Sequence, residues 1–191
     1  MYTWGYIKDA TLAKLDLDEN EATVQNLLSR FPFYANEVMT QVCSTVKPKH
    51  TFAKFIITAD EVNTMQKMPD DFVSFSDDIC MKVVNRTPVE LHDNDYFYHG
   101  YNEVLFFEPG EYYISYNARW LDFSKNMYDD FVLDIPKDIL DCIPSYIASQ
   151  CYKIDDLTQS QIYRNEYEML FARIDDTNYK MTKTLVIDGG W

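Results

Sequence analysis

In the first third of the chain, apolar residues return at steps of three and four. Trp4, Ile7, Leu12 and Leu15 lie close to one helical face, and Thr3 stands where a side-chain oxygen caps a first turn. Asp16-Leu17-Asp18 predicts a turn, and Asp18 with Glu21 has the spacing of a capping box. Val24, Leu27, Leu28, Phe31, Ala35, Val38, Val42 and Val46 then form a second stripe, about six turns long. The stripe keeps its phase across Pro32. Because proline removes one helical hydrogen bond and crowds the preceding turn, a kink or a restart is expected at Phe31-Pro32, and the kept phase favours a kink. Lys47-Pro48-Lys49 ends the helix.

The period then falls from three and four to two. Phe52, Lys54 and Ile56 alternate with Ala53, Phe55 and Ile57, and residues 71–76, 80–84, 96–107 and 111–120 are similarly rich in aromatic and β-branched types. Turn signals separate these runs at Met68-Pro69-Asp70-Asp71, Asn85-Arg86-Thr87-Pro88, His92-Asp93-Asn94-Asp95 and Glu108-Pro109-Gly110. Short strands with turns every 8–12 residues or so predict an antiparallel sandwich or jelly roll. Pro109-Gly110 fits the centre of a type II turn, so a hairpin is expected there.

Helical spacing returns after Pro136. Ile139, Leu140, Ile143, Ile147 and Cys151 make one stripe, with Pro144 set to kink or restart it. Asp155-Asp156 with Gln159 offers another cap, and Leu157, Tyr163, Tyr167, Leu170 and Ile174 follow. Residues 180–191 are extended in character. Neither helical piece can bury its stripe alone, so the order helices, strands, helices predicts an α+β fold. A discontinuous helical bundle (1–48 and 135–178) would carry an inserted antiparallel β-sandwich, jelly-roll-like, at 49–134, with an extended C-terminal tail at 179–191. Leu27 or Val38 should share a core with Tyr167 or Leu170.

Composition narrows the function. With 47% apolar residues, 16% aromatics and only 5 Gly and 7 Pro, the chain can bury a sizeable core. Seventeen basic against 31 acidic residues give a net charge of −14, which argues against gripping nucleic acid through its phosphates. No apolar run approaches the roughly 20 residues that cross a bilayer. The opening Met1-Tyr2-Thr3-Trp4-Gly5-Tyr6 has neither the basic nor the apolar region of a signal peptide, which predicts synthesis in a reducing cytoplasm. Cys43, Cys80, Cys142 and Cys151 are widely spaced and read as free, mostly buried thiols.

The candidate chemistry is thin. His50, His92 and His99 are the only histidines, and no serine or cysteine sits in a nucleophile elbow, so no enzyme, catalytic residue or cofactor is expected. His92, Asp93, Asp95 and His99, with Asp77-Asp78, resemble a metal cluster. They lack the glycine and the closing glutamate of a calcium loop, and a polar turn with no metal is the better reading. Tyr96, Tyr98, Tyr101, Tyr112, Tyr116 and Trp120 could stack on sugars, but an alternating strand would place half of them in its core. No phosphate loop is present. The tail is the least ordinary feature. Leu185, Val186 and Ile187, followed by Gly189, Gly190 and Trp191, place apolar groups and an aromatic anchor where they would gain most by docking on a neighbouring subunit.

Four stretches carry a resemblance: Tyr2-Thr3-Trp4-Gly5-Tyr6-Ile7; Arg30-Phe31-Pro32-Phe33-Tyr34-Ala35-Asn36-Glu37-Val38; residues 143–150; and residues 164–175, together with the closing Gly-Gly-Trp. In these the chain resembles the head–tail connector (adaptor) proteins of tailed bacteriophages, of the podovirus-like class with a β insertion. The resemblance spans both helical parts, roughly half the chain. It implies a structural virion protein of the neck or tail, made in the host cytoplasm. Such a protein forms a homo-oligomeric ring, commonly of twelve subunits, below the portal, joins capsid to tail or nozzle proteins, and lines a channel through which double-stranded DNA passes unheld. An acidic wall suits that role, since it lowers affinity for phosphate. Other readings are a different neck, tail-completion or fibre-attachment protein, or a carbohydrate-binding module on a helical scaffold.

Overall fold

The computed structural model describes residues 2–17, 22–92 and 95–174. The chain is α+β, with helices at both ends and antiparallel strands between them. It divides into two compact units: residues 2–47 with 120–174, and residues 48–119.

The helical unit holds α1 (Trp4–Leu15), α2 (Ala22–Leu28), α3 (Phe31–Thr45), α4 (Lys137–Leu140), α5 (Ile143–Tyr152) and α6 (Leu157–Phe171). Thr3 caps α1 by accepting from the Tyr6 N–H at 3.2 Å. Asp16 closes it in the left-handed region (φ 54°), where a short polar side chain is tolerated. The Asp16 and Leu17 N–H groups both return to the Leu12 carbonyl. The proposed Asp18–Glu21 box lies outside the described residues. Asp156 caps α6, its carboxylate accepting from the Thr158 and Gln159 N–H groups at 2.9 and 3.0 Å.

At Pro32 the structure departs from the expected kink. α2 stops at Leu28, the Ser29 and Arg30 N–H groups close its last turn, and α3 restarts with Pro32 in its first turn, where no N–H is needed. Pro144 does the same for α5. Helix α5 lies at the centre, packed against α1, α3 and α6, so that Ile143, Ser145, Ile147, Ala148 and Ser149 are all buried. Around it lies one core that joins the two ends of the sequence. Phe31, Val38, Ile139, Ile147 and Tyr167 are at most 1% exposed, with Leu27 and Leu170 packed partly buried against them.

The second unit holds β1 (Lys49–Ile57), β2 (Met65–Lys67), β3 (Phe72–Val84), β4 (Thr87–Glu90), β5 (Tyr96–His99), β6 (Glu103–Phe106) and β7 (Gly110–Ala118). Two sheets, ordered β1-β7-β3-β4 and β2-β6-β5, are antiparallel throughout. The first strand pairs with the last, and the second with the second-to-last in the other sheet, which is jelly-roll-like winding. Alternation decides what faces inward. Ala53, Ile57, Cys80, Tyr96, Val104, Phe106, Tyr112, Ile114 and Tyr116 form the core of this unit. Asn85 and Arg86, both at positive φ (51° and 64°), make the two-residue turn joining β3 to β4.

Several boundaries differ from the sequence reading. The expected strands 71–76 and 80–84 are one bulged strand, Phe72–Val84, with the register against β7 jumping between Phe75 and Cys80. Residues 96–107 are two strands that turn at Gly100 (φ 59°). The expected hairpin at Pro109-Gly110 is an arch from one sheet to the other. β6 and β7 do not pair, and the Phe106 and Tyr112 rings stack across the interior at 4.2 Å.

Residues 120–134, expected in the insertion, pack with the helices. Phe123 and Leu133 are 4% and 5% exposed in the helical core, with the Phe123 ring 4.9 Å from Trp4. This strap also pairs with the chain's start: the Trp4 and Gly5 N–H groups donate to the Phe131 and Asp129 carbonyls (3.0 and 2.8 Å), and the Leu133 N–H donates to Tyr2 (2.9 Å). The insertion therefore runs over residues 48–119, not 49–134.

None of the four cysteines is in a disulfide; Cys43, Cys80 and Cys142 are buried and Cys151 partly so. Burial pushes the thiols of Cys80, Cys142 and Cys151 up to about 12. Because the thiolate is the nucleophile, these three should resist a thiol reagent at pH 8 in the native protein and react once denatured. Rapid native labelling, read by mass, would contradict this burial.

Candidate functional site

Residues of α3 that do not face the core build the most distinctive surface of the helical unit. The buried positions are Phe31, Ala35, Val38, Met39 and Val42, which leaves Phe33 on the opposite side at 63% exposure. Phe33, Asn36, Glu37, Thr40 and Gln41 of α3 and Tyr146 of α5 line an open groove of about 490 Å³.

Its floor is a hydrogen-bonded aromatic layer. The Tyr146 hydroxyl donates to Glu37 Oε2 at 2.9 Å, and the Tyr167 hydroxyl donates to Gln41 Oε1 at 2.7 Å. The two rings meet edge to face at 4.9 Å. From α6, the Arg164 guanidinium lies over both rings, 5.6 and 5.2 Å from their centres, and its Nε donates to Glu168 at 2.8 Å. Asn36, at the edge of the groove, also reaches the strap. Its amide donates to the Phe123 carbonyl (2.9 Å) and its oxygen accepts the Phe123 N–H (2.7 Å), clamping the strap. Three stretches that carried the resemblance, from α3, α5 and α6, thus pack against one another, and those of α3 and α5 line the groove.

Burial, and then the bond to Glu37, raise the Tyr146 hydroxyl to about 12; burial likewise raises Tyr167, and in the sandwich Tyr116. The folded chain keeps protons that the unfolded chain releases near pH 10. The stability these groups contribute is therefore present below about pH 10 and lost as pH climbs toward 12. In an absorbance titration at 295 nm, part of the 15 tyrosines should ionise only as helical circular dichroism collapses. Complete ionisation near pH 10 with helicity intact would refute it.

The groove offers an exposed phenyl ring, tyrosine faces and amide, hydroxyl and carboxylate groups. It lacks a paired nucleophile and base, and it suits an extended chain carrying an apolar anchor. The residues that sequence reasoning singled out fall elsewhere. Leu185, Val186, Ile187, Gly189, Gly190 and Trp191 lie outside the described residues. Of the six aromatic candidates, Tyr96, Tyr112 and Tyr116 are in the sandwich core and Trp120 belongs to the helical unit. Tyr98 is half-buried against Phe75, and Tyr101, 71% exposed, donates its hydroxyl to the Val73 carbonyl. They do not form a shared platform. Asp95 accepts from the His92 N–H at 3.2 Å, as a polar turn does, and Asp93 lies outside the described residues. His99 lies on an exposed strand beside Phe97, and His50 Nδ1 is 3.4 Å from the Ser76 hydroxyl. Among the described residues there is no group of three or more potential metal ligands, and no helix is long and apolar enough to cross a membrane.

Phe33, Glu37, Tyr146 and Arg164 were not singled out from the sequence. The available signal was Phe33 itself, an aromatic two residues out of phase with the Phe31 stripe. No protein-family model and no curated protein matches the chain.

Proposed function

We propose that this chain is a non-enzymatic structural protein of a tailed-phage neck, a head–tail adaptor that assembles as a homo-oligomeric ring below the portal. In this reading the ring joins capsid to tail or nozzle proteins and lines the DNA channel. The observation that carries the reading is the meeting of two adaptor-like stretches, from α3 and α5, at the Phe33–Tyr146 groove, an open surface fitted for docking a chain, with a third, from α6, packed against Tyr146. Exposed apolar residues on and before α6 agree with a life spent in contact with other proteins: Ile154 (85%), Leu157 (73%) and Met169 (57%). A net charge of −14 agrees with a channel wall that lets DNA slide.

The test is the mass of the purified full chain by sedimentation velocity, with and without portal protein, alongside a binding titration with double-stranded DNA at low salt. A closed ring of defined copy number in either condition, and no retention of DNA, is the expected result. A monomer in both conditions would overturn the reading.

A further inference from the structure

We infer that the Phe33–Tyr146 groove receives the apolar segment Leu185-Val186-Ile187 with Trp191 from a second copy of this chain, an inference that rests on the assembly reading above. Three observations carry it.

The first is fit. The groove sets an exposed phenyl ring beside a tyrosine face and the Glu37 carboxylate. The segment presents three β-branched or branched aliphatics and an indole, preceded by Lys180 and Lys183. A cation–apolar order thus meets a carboxylate–aromatic surface, and Thr40 and Gln41 border it with side chains able to bond an extended backbone.

The second is where the described chain ends. Ile174 is 7% exposed and its N–H bonds the Phe171 carbonyl, so the chain is anchored to the helical unit up to this point. Tyr167, which holds Gln41 at the groove, lies seven residues earlier, about 10 Å of helical rise. The segment therefore departs close to its own groove.

The third is length. About three extended residues would cover such a gap, yet ten residues, 175–184, precede Leu185. Extended, those ten span roughly 33–36 Å, about the width of a small domain. That reach is several times what the chain's own groove requires and is enough to carry the anchor to an adjacent copy. Each copy has one groove and one segment, so the contact is head-to-tail and propagates around a ring instead of ending at a pair.

The experiment is sedimentation velocity of the full chain and of Phe33→Asp and Ile187→Asp, in whichever of the two conditions above the parent assembles, with circular dichroism melts of each. Both variants should self-associate at least tenfold more weakly at unchanged melting temperature. An equimolar mixture of the two should give a dimer, because the groove of one and the segment of the other are intact. Because Phe33→Asp alters a helix residue, Ile187→Asp gives an independent answer should the first melt early. Variants that assemble like the parent would overturn this inference and leave the adaptor reading standing. Lowered melting temperature with mass unchanged would show docking within one chain and overturn it too. A parent that is monomeric in both conditions would overturn the adaptor reading itself, and this inference with it.

Discussion

A chain in which a short Gly-Ser linker replaces residues 48–119 is expected to keep its helices, whereas one in which the linker replaces 48–134 is expected to lose them. The ends of the shorter excision already lie side by side: the Trp120 indole N–H donates to the Lys47 carbonyl at 2.9 Å. A linker of a few residues closes that gap at small entropic cost. The longer excision removes the strap, and with it Phe123 and Leu133 from the core and the bonds to Trp4, Gly5 and Tyr2. It also strips the Asn36 amide of both Phe123 partners. Two large apolar side chains are worth on the order of 4–8 kcal/mol together, comparable to the whole stability of an ordinary domain. Far-ultraviolet circular dichroism and a thermal melt separate the two chains. Equal melting of both would mean that the strap is dispensable.

The strap also shows where periodicity stops informing. Residues 120–134 follow a strand and contain Phe123, Phe131 and Val132, so in sequence they look like more sheet. What assigns them to the helices is pairing with residues 2–5 and the clamp from Asn36, contacts over more than eighty positions that a local pattern does not carry. Pro109-Gly110 fails for a related reason. A tight hairpin and an arch between sheets both require a chain reversal, and only the partners of β7, which are β1 and β3 and not β6, tell them apart. Pro32 was ambiguous because a stripe in phase across a proline fits either a kink or a restart. By contrast, the stripes of α1, α3 and α5 and the inward alternation of β1 and β7 were legible, since burial on one face follows directly from 3.6- and 2-residue periods; the α6 stripe held at Tyr167 but not at Leu157, which is 73% exposed. The groove was legible only through Phe33; Tyr146 and Arg164 reach it through packing of α5 and α6 on α3, which no spacing within one helix encodes.

Asp138→Ala is expected to destabilise the helical unit by on the order of 3 kcal/mol, and the double change Lys47→Met with Asp138→Leu to recover most of that loss. Lys47 is the last residue before the insertion and is only 2% exposed, a rare place for an ammonium. Asp138, in the short helix α4, holds its Nζ at 2.6 Å. The pair ties the chain's exit from α3 to the point where helices resume, beside the Trp120 bond to the Lys47 carbonyl. Removing the carboxylate takes from a cation only 2% exposed the partner that holds it at 2.6 Å, and losing such a partner is costly where water reaches the charge poorly. Replacing both ends with apolar groups removes the charge along with its partner, and such swaps are often neutral. For a chain of this size the single change should lower the melting temperature by about 6–12 °C. Lys47→Met alone should cost less than Asp138→Ala, because Asp138 is 34% exposed and water takes over its solvation. The measurement is a double-mutant cycle by chemical denaturation. A double variant no more stable than Asp138→Ala would show that Lys47 is needed for more than its charge pair.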